Sequence, residues 1–211
     1  MNVYLLKYAD KEDAYLPLLS EQRRKIVDDI KNPKVRREKI YAYLLLRYAL
    51  LMEYAVFDAP EFTYGEKGKP FLKDNPEIHF SISHAGGFTA CVVSDFPIGF
   101  DIQDFRPMKD DISLRICTKR EINEEVYGGI SPAPSETTCK LWCMKEARAK
   151  LTGKGFAEGF DTIETGDLRA SGELVFKTYG DDLYISACGY EPLPEMEIIV
   201  VDEKDMVYTL L

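Results

Sequence analysis

Histidine and cysteine are scarce in this sequence of 211 residues, which contains two histidines and five cysteines. The cysteines are odd in number and no two of them form a Cys-x-x-Cys pair, so they fit neither a disulfide framework nor a Cys/His zinc site. A chain of this length buries a sizeable core without such staples. We therefore expect reduced cysteines and a fold that depends on a hydrophobic core.

Long apolar runs are also absent. No uninterrupted apolar segment approaches the ~18 residues that cross a membrane as a helix. The segment from Met1 to Asp10 lacks the basic and apolar regions of a signal peptide. We expect a cytoplasmic protein that does not bind membranes.

Basic charge is in deficit, with 27 Lys and Arg against 36 Asp and Glu and a formal net charge of -9. This balance argues against binding of nucleic acid by broad phosphate neutralisation. The exception is the segment from Gln22 to Lys39, the basic island, which has eight basic and three acidic residues. It suggests a local anion site; taken alone, however, the pattern favours a solvated helix pair with its Lys and Arg in water.

Hydrophobic periodicity predicts a mixed order of helices and strands. The predicted strands are Asn2–Tyr8, Ile78–Ser83, Phe88–Ser94, Ile98–Ile102, Glu173–Tyr179, Leu183–Cys188 and Met196–Val200. The predicted helices are Leu18–Ile30, Val35–Glu53, Asp111–Val126 and Ser135–Leu151. Strands 88–94 and 98–102, separated by Asp95-Phe96-Pro97, resemble a hairpin. The order recurs along the chain, so we expect an α+β fold of two similar halves, 1–100 and 101–211, although no sequence repeat relates them.

Asp101 and Gln103 lie two residues apart in a predicted strand, which directs both side chains to one face. Carboxylate and amide oxygens are suitable ligands for a hard cation such as Mg²⁺. The spacing alone also fits an aspartate that ends a strand or caps the following turn.

Glu146 and Lys150 are four residues apart in a predicted helix and share one stripe of its surface. A surface ion pair explains this spacing as well as a shared site does. Cys139 and Cys143 lie on the same stripe, but no third thiol or histidine accompanies them, which argues against a soft-metal site.

His84 follows the predicted strand 78–83 and precedes Gly86-Gly87, where backbone amides in a tight turn could bind an anion. A hydrogen-bonded structural histidine is the alternative. Lys69 lies in the segment from Phe57 to Pro70, whose Gly and Pro residues predict a loop and are typical of many surface turns. Walker A, GxGxxG, GxSxG and HExxH motifs are all absent.

Taken in order, these segments resemble the successive motifs of the Sfp-type 4'-phosphopantetheinyl transferases. The matching segments span about Leu18 to Gly155 and are Gly68-Lys69-Pro70, Phe80-Ser81-Ile82-Ser83-His84, Ile98-Gly99-Phe100-Asp101-Ile102-Gln103, Trp142-Cys143-Met144-Lys145-Glu146-Ala147 with Lys150, and Gly153-Lys154-Gly155. The resemblance is specific through the order and spacing of the motifs, since no single motif suffices.

The resemblance implies a pseudo-dimer of two similar halves, each a small antiparallel sheet packed with helices, with coenzyme A as co-substrate. It implies transfer of the 4'-phosphopantetheine arm to a serine of an apo acyl or peptidyl carrier protein, with release of adenosine 3',5'-bisphosphate. Monomer is the expected state, with no nucleic acid as partner. We expect apolar contacts from Gly128 to Ala133 and the preceding helix to dock the carrier.

The resemblance also implies residue roles. Asp101 and Glu146 would hold Mg²⁺, and Glu146 would orient or deprotonate the carrier serine. Gln103 stands where the family usually has a second acid, so it would supply a metal ligand without charge. Lys145 and Lys150 would neutralise the charge that develops on the phosphates.

Further residues would bind coenzyme A by the same resemblance. Ser83 and His84 would contact its phosphates, and Lys69 would lie beside the adenine or the 3'-phosphate. Lys25 and Arg37 of the basic island align with further phosphate contacts of the family. Two other hypotheses remain: a coenzyme A or nucleotide-binding protein that has lost catalysis, and an acidic interaction domain.

Overall fold

The computed structural model of this protein describes residues 1–9, 12–106, 110–126, 134–181 and 183–211. These residues form two compact units. The first unit comprises Met1–Phe96 together with Met196–Leu211, and the second comprises Pro97–Glu195. Each contains helices and strands, so the mixed α+β class is confirmed.

The described residues contain nine strands and seven α-helices. The strands are β1 (Asn2–Lys7), β2 (Phe62–Tyr64), β3 (Pro70–Leu72), β4 (His79–Ala85), β5 (Phe88–Ser94), β6 (Gly99–Asp104), β7 (Leu174–Tyr179), β8 (Leu183–Cys188) and β9 (Glu197–Val201). The helices are α1 (Glu21–Asp28), α2 (Pro33–Tyr54), α3 (Asp110–Ile116), α4 (Lys119–Glu121), α5 (Pro134–Thr152), α6 (Thr165–Ala170) and α7 (Glu203–Leu210). Short 3₁₀ helices occur at Glu12–Leu18, Gly155–Glu158 and Phe160–Thr162, and a π-helical turn at Ile122–Val126.

The first unit is built on a four-stranded sheet in the order β4-β5-β1-β9. The β4/β5 and β5/β1 pairs are antiparallel, whereas β1 and β9 are parallel. Asn32 is the N-cap of helix α2: its side chain accepts backbone N–H bonds of the first turn, and Pro33 is the first helical residue. The helix packs on β5 and buries residues 40–46 in the core of this unit.

A two-residue turn joins β4 to β5. Gly86 and Gly87 have positive φ angles of 58° and 82°, which glycine adopts without a steric penalty and which suit the twist of a tight hairpin. Strand β4 therefore extends through His84, which pairs with Thr89. The tight turn predicted after His84 is confirmed.

The second unit is built on a three-stranded antiparallel sheet in the order β6-β8-β7. Helix α5 packs against β6 and β8. A Cβ atom on Gly99 would lie 2.0 Å from the carbonyl oxygen of Ala147 and 2.3 Å from the backbone nitrogen of Leu151. The missing side chain at Gly99 therefore lets α5 approach β6 closely.

The two units share one connectivity. In each, a first strand, β1 or β6, is followed by helices that include a long one, α2 or α5, and then by an antiparallel strand pair. The last of these three strands pairs with both others. The first unit adds the antiparallel β2/β3 pair before β4, and β9 and α7 at its end. Because β9 is parallel to β1, the main sheet of the first unit is mixed, whereas the sheet of the second unit is purely antiparallel, as the resemblance implies.

The predicted hairpin between residues 88–94 and 98–102 is wrong. Strand β5 pairs with β4 and β1, whereas β6 pairs with β8. The intervening Asp95-Phe96-Pro97 contains the boundary between the two units. Aromatic and β-branched residues favour a strand, but they do not select its partner.

The C-terminal segment also differs from the prediction of halves at 1–100 and 101–211. Residues 196–211 belong to the first unit because β9 pairs with β1 from Asn2↔Glu197 to Leu6↔Val201. Glu203 of α7 accepts a hydrogen bond of 2.9 Å from the hydroxyl of Tyr41 in α2. The strand pairing of β9 with β1 and the hydrogen bond between Glu203 and Tyr41 thus join chain segments that are far apart in sequence.

Two further predictions need correction. The helix predicted over Asp111–Val126 is divided into α3, α4 and a π-helical turn, because the Thr118 side chain caps α4. The predicted loop from Phe57 to Pro70 contains β2 and the first residue of β3.

The segment Gly128 to Ala133, expected to dock the carrier, lies outside the described residues. No helix in the described ranges is long and apolar enough to cross a membrane.

Candidate functional site

Asp101 and Gln103 lie on β6, opposite Ser186 and Tyr184 of β8, so the prediction that they share one face of a strand is confirmed. Asp101 is buried and accepts a hydrogen bond of 2.7 Å from the Nζ atom of Lys150 on α5. This ion pair joins β6 to α5, the two elements that the small size of Gly99 allows to pack closely.

Glu146 lies one turn before Lys150 on α5 and is half-buried. Burial raises the pKa of the Glu146 carboxyl, the negative charge of Asp101 raises it further, and the positive charge of Lys150 opposes both. A carboxylate with a raised pKa is a stronger base. The structure therefore brings Asp101, Glu146 and Lys150 into one electrostatically coupled group.

Gln103 directs its amide nitrogen to its own strand, donating a hydrogen bond of 2.9 Å to the carbonyl oxygen of Asp104. The carboxylate of Asp104 accepts a hydrogen bond of 2.9 Å from Nε of Arg106. The Asp104 carboxylate also accepts a longer hydrogen bond of 3.4 Å from the Gln103 amide nitrogen, so it lies beside Gln103 at the end of β6.

Metal binding at this group would depend on two carboxylates. Within the described ranges, no three His, Cys, Asp or Glu side chains lie close enough together to hold a metal ion. Asp101 and Glu146 nevertheless fit a hard divalent cation, which takes one or two carboxylates and completes its shell with water and phosphate oxygens. Their mutual repulsion, which contributes to the raised pKa of Glu146, is relieved by a cation.

Lys145 does not join this group, contrary to the role that its motif implies. Its side chain is fully buried, and its ammonium group donates hydrogen bonds to the carbonyl oxygens of Phe160 (2.8 Å) and Ile163 (2.5 Å). It also forms an ion pair of 2.7 Å with the fully buried Glu121. An ammonium group has three protons, and these three acceptors account for them.

Glu121 is a buried residue that the sequence analysis missed. Its carboxylate accepts hydrogen bonds from the backbone N–H of Thr118 (2.9 Å) and from the hydroxyl of Thr165 (2.6 Å). Thr118 and Glu121 form a capping box at the start of α4. The Thr-x-x-Glu spacing is a sequence signal for that box, but it carries no information about Lys145.

Ser83 and His84 lie near the end of β4 in the first unit. Ser83 is buried, and its carbonyl oxygen accepts a hydrogen bond of 3.4 Å from the Thr89 hydroxyl. The side chain of His84 is 39% exposed, and its Nδ1 atom lies 3.9 Å from Oε2 of Glu38 on α2. Glu38 is the acidic neighbour of His84 that the sequence analysis did not identify.

Lys69 immediately precedes β3 and is half-buried. Burial lowers the pKa of its ammonium group. Burial lowers the pKa of His79 on β4 as well, and the positive charge of Lys69 contributes to this shift. Lys69 and His79 therefore lie close enough to interact electrostatically, and His79 had no predicted role.

Lys25 and Arg37 have different environments within the basic island. Lys25 is largely exposed and pairs with Glu21 across one helical turn, at 2.7 Å. Arg37 is half-buried, and its charge opposes the upward shift that burial and Glu38 cause in the pKa of Tyr8. Arg23 is the member of the island that donates a hydrogen bond of 3.0 Å to the carbonyl oxygen of Lys39.

Comparison with known proteins connects these residues to a family. Residues 97–192, all within the second unit, match the family model described as the 4'-phosphopantetheinyl transferase superfamily. The chain is 31% identical over 171 residues to the 4'-phosphopantetheinyl transferase psf-1 of Bacillus pumilus, covering 76% of this chain and 69% of the relative. It is 25% identical over 155 residues to the 4'-phosphopantetheinyl transferase Sfp of Bacillus subtilis (strain 168), with coverages of 73% and 69%. The 4'-phosphopantetheinyl transferase AcpT of Salmonella typhi is 37% identical over 146 residues, with coverages of 68% and 74%.

Proposed function

Because this chain belongs to the 4'-phosphopantetheinyl transferase superfamily, we propose roles for its residues in that reaction. The chain is a 4'-phosphopantetheinyl transferase, which transfers the phosphopantetheine arm of coenzyme A to a carrier protein. We propose that the acceptor is a serine hydroxyl of an apo acyl or peptidyl carrier protein. The second product is then adenosine 3',5'-bisphosphate.

The reaction forms one phosphorus–oxygen bond and breaks another. The serine oxygen attacks the phosphorus that carries pantetheine, the bond from that phosphorus to the oxygen of the adenosine bisphosphate breaks, and the serine proton passes to a base. We propose that Glu146 orients the serine and accepts its proton, directly or through a water molecule. Its place beside Asp101 and Lys150 supports this role, because these residues form the charged group of the second unit.

We propose that Asp101 and Glu146 hold Mg²⁺, with Gln103 as a neutral ligand to the metal or to one of its waters. The two oxygen-donor carboxylates on β6 and α5 support this assignment. Bound Mg²⁺ supplies positive charge that stabilises the pyrophosphate during displacement. Gln103 contributes no charge, so the site has one negative charge less than one with an acid at this position.

Lys150 binds a phosphate oxygen of coenzyme A in this proposal, and its contact with Asp101 supports a position beside the reacting groups. In the first unit, Ser83, His84, Lys69 and Arg37 bind the remaining phosphates or the adenine. Lys25, whose exposed ammonium group pairs with Glu21, is a further phosphate contact in this proposal.

We further propose that the two units arose by duplication of one ancestral unit, so that the chain is a pseudo-dimer. Their shared strand order and connectivity support this origin. A chain that contains both copies needs no second chain to supply one, which supports a monomer.

The five cysteines are free and buried, as expected for a protein of the cytoplasm.

The observation that carries the residue assignment is the ion pair of Asp101 with Lys150, one turn from Glu146, inside the range that matches the family model. The test is incubation of the protein with coenzyme A, Mg²⁺ and an apo carrier protein, followed by intact mass measurement of the carrier. We expect a mass increase of one phosphopantetheine group. Binding of coenzyme A without any transfer would instead support the catalytically inactive alternative.

Variants at the carboxylates test the metal and base assignments. We expect Asp101→Ala and Glu146→Ala to abolish transfer, because each removes a charged oxygen ligand. Gln103→Ala should weaken transfer less, since no charge is lost, and Gln103→Glu should lower the Mg²⁺ concentration needed for half-maximal rate. Initial rates over a Mg²⁺ titration measure this, and near-normal activity of Glu146→Ala would contradict the mechanism.

A further inference from the structure

We propose that Glu38 is a positioning residue for coenzyme A binding, which orients His84 and keeps its imidazole charged so that it can receive a phosphate. This inference rests on the proposed function, because that proposal assigns His84 to the phosphates. It extends the proposal to an acidic residue of the basic island that no motif indicates.

The geometry places one carboxylate against three groups of the first unit. Oε2 of Glu38 lies 3.9 Å from Nδ1 of His84, and Oε1 accepts a hydrogen bond of 3.5 Å from the hydroxyl of Tyr8. Oε1 also lies 4.0 Å from Nζ of Lys34. The Tyr8 and Lys34 contacts hold one oxygen of Glu38, and the other oxygen faces the imidazole.

Partial burial strengthens the electrostatic attraction between the Glu38 carboxylate and the His84 imidazole. The Glu38 side chain is 12% exposed and that of His84 is 39% exposed, so water screens their attraction less than it screens a surface pair. Lys34 is 72% exposed, and water reduces the effect of its charge on His84. In this proposal the imidazolium turns Nδ1–H toward Glu38 and donates its second N–H, at Nε2, to the phosphate.

Among the described residues, the charged groups at this contact are those around Glu38. Lys34 of α2 pairs with Glu38, and Tyr8, which follows β1, contacts Glu38 and is influenced by the charge of Arg37. His84 itself belongs to β4, where it pairs with the uncharged Thr89 of β5. Glu38 faces the imidazole as an anion, so removing its charge promotes loss of the imidazole proton near neutral pH.

The experiment measures the dissociation constant of coenzyme A by calorimetry for the wild type and Glu38→Gln at pH 6 and pH 8, without carrier protein. We expect a smaller difference in affinity at pH 6, below the ordinary pKa of histidine, than at pH 8. At pH 8 we expect roughly threefold to tenfold weaker binding by the variant, since one unit in a proton equilibrium corresponds to a tenfold change. At each pH we compare the dissociation constants of the variant and the wild type as a ratio, because the ionisation of coenzyme A affects both constants equally.

Two variants serve as controls. Glu197→Gln changes the net charge by the same amount at an exposed position of β9 and should leave the affinity unchanged at both pH values. Glu38→Asp retains the charge and should lose less affinity at pH 8 than Glu38→Gln. An equal loss at pH 6 and pH 8 for Glu38→Gln would mean a purely structural role and would overturn the proposal.

A second measurement separates this inference from the proposed function. The pH midpoint of the His84 imidazole signal, followed by NMR without coenzyme A, should move to lower pH in Glu38→Gln, and an unchanged midpoint overturns the pairing. Affinity of His84→Ala for coenzyme A tests the assignment of His84. If His84→Ala binds as tightly as the wild type while the midpoint does move, the pairing stands but the phosphate role of His84 fails, and with it the inference about coenzyme A.

Discussion

Lys145 and Glu146 are neighbours on α5 and have opposite environments. An α-helix has 3.6 residues per turn, so consecutive side chains point about 100° apart. Glu146 lies on the stripe of Lys150, beside Asp101, whereas Lys145 points into the core of the second unit and pairs with Glu121. The acceptors of this fully buried ammonium group take the place of the water that it loses on burial.

This buried pair predicts a large effect on stability. Lys145→Met is expected to lower the free energy of unfolding by about 3 to 5 kcal/mol, because it leaves Glu121 charged and buried without a cation. The double variant Glu121→Gln/Lys145→Met should lose less stability than Lys145→Met alone. Urea denaturation measures both. Lys140→Met, which removes a partly exposed pair with Glu136 and a cation–π contact with Tyr184, is the control and should cost about 1 kcal/mol.

The opposite result has a clear meaning. If Lys145→Met unfolded at the wild-type urea concentration but had lost affinity for coenzyme A, Lys145 would have the phosphate role that the family motif implies.

At the scale of elements, the close contact between β6 and α5 determines the geometry of the candidate site. Asp101 lies two residues after Gly99 on β6, and Lys150 directly precedes Leu151, which lies against Gly99. The backbone of α5 occupies the space that any side chain at position 99 would need. The Asp101–Lys150 ion pair therefore depends on a glycine that takes no part in the chemistry.

We predict that Gly99→Ala moves α5 away from β6. The added methyl group would overlap backbone atoms, which cannot move as freely as a side chain end, so the loss of stability should be about 1 to 3 kcal/mol. Transfer activity should fall as well, because Asp101 and Lys150 would separate. Gly166→Ala in α6 is the matched control, since its Cβ would meet no atom closer than 3.7 Å.

Urea denaturation and the initial transfer rate measure the effect of Gly99→Ala. Wild-type stability together with wild-type activity would show that the contact at Gly99 is not needed. A normal rate in the folded but destabilised variant would show that α5 has room to adjust without disturbing the site.

At the scale of the whole molecule, the uneven charge distribution suits different kinds of contact with the two substrates. The net charge is -9, while the basic island carries an excess of positive charge. Part of that excess is used within the first unit, where Lys25 pairs with Glu21 and Lys34 with Glu38. The remaining positive charge can attract the phosphates of coenzyme A, whereas the expected carrier contacts in 128–133 are apolar.

We therefore predict different salt sensitivities for the two substrates. Raising salt from about 0.05 to 0.5 M shortens the Debye length from roughly 14 to 4 Å, which should weaken coenzyme A binding and change the Michaelis constant of the carrier only modestly. Charges at the rim of an interface act mainly on the association rate, whereas buried apolar contacts act mainly on dissociation. Substrate titrations at both salt levels, with free Mg²⁺ held constant, measure the effect.

A large increase in the carrier constant alone would reverse this assignment. It would show that the carrier docks chiefly by charge and that the basic island serves the carrier more than coenzyme A.

Short-range features of the site could be predicted from the sequence. The spacing of Asp101 and Gln103 determined a common strand face, and the spacing of Glu146 and Lys150 determined a common helix stripe. These relations depend only on the periods of a strand and a helix. The order of the motifs also identified the family, since residues of one reaction recur in a fixed order along related chains.

Partners distant in sequence were decided only by the tertiary structure. The contacts of Lys145 with Glu121, of His84 with Glu38 and of β9 with β1 each join segments separated by more than 20 residues. Periodicity determines which way a side chain points, but it does not determine what lies opposite, because the partner depends on the packing of other elements. For this reason the sequence placed Lys145 with the phosphates, and the fold placed it in the core.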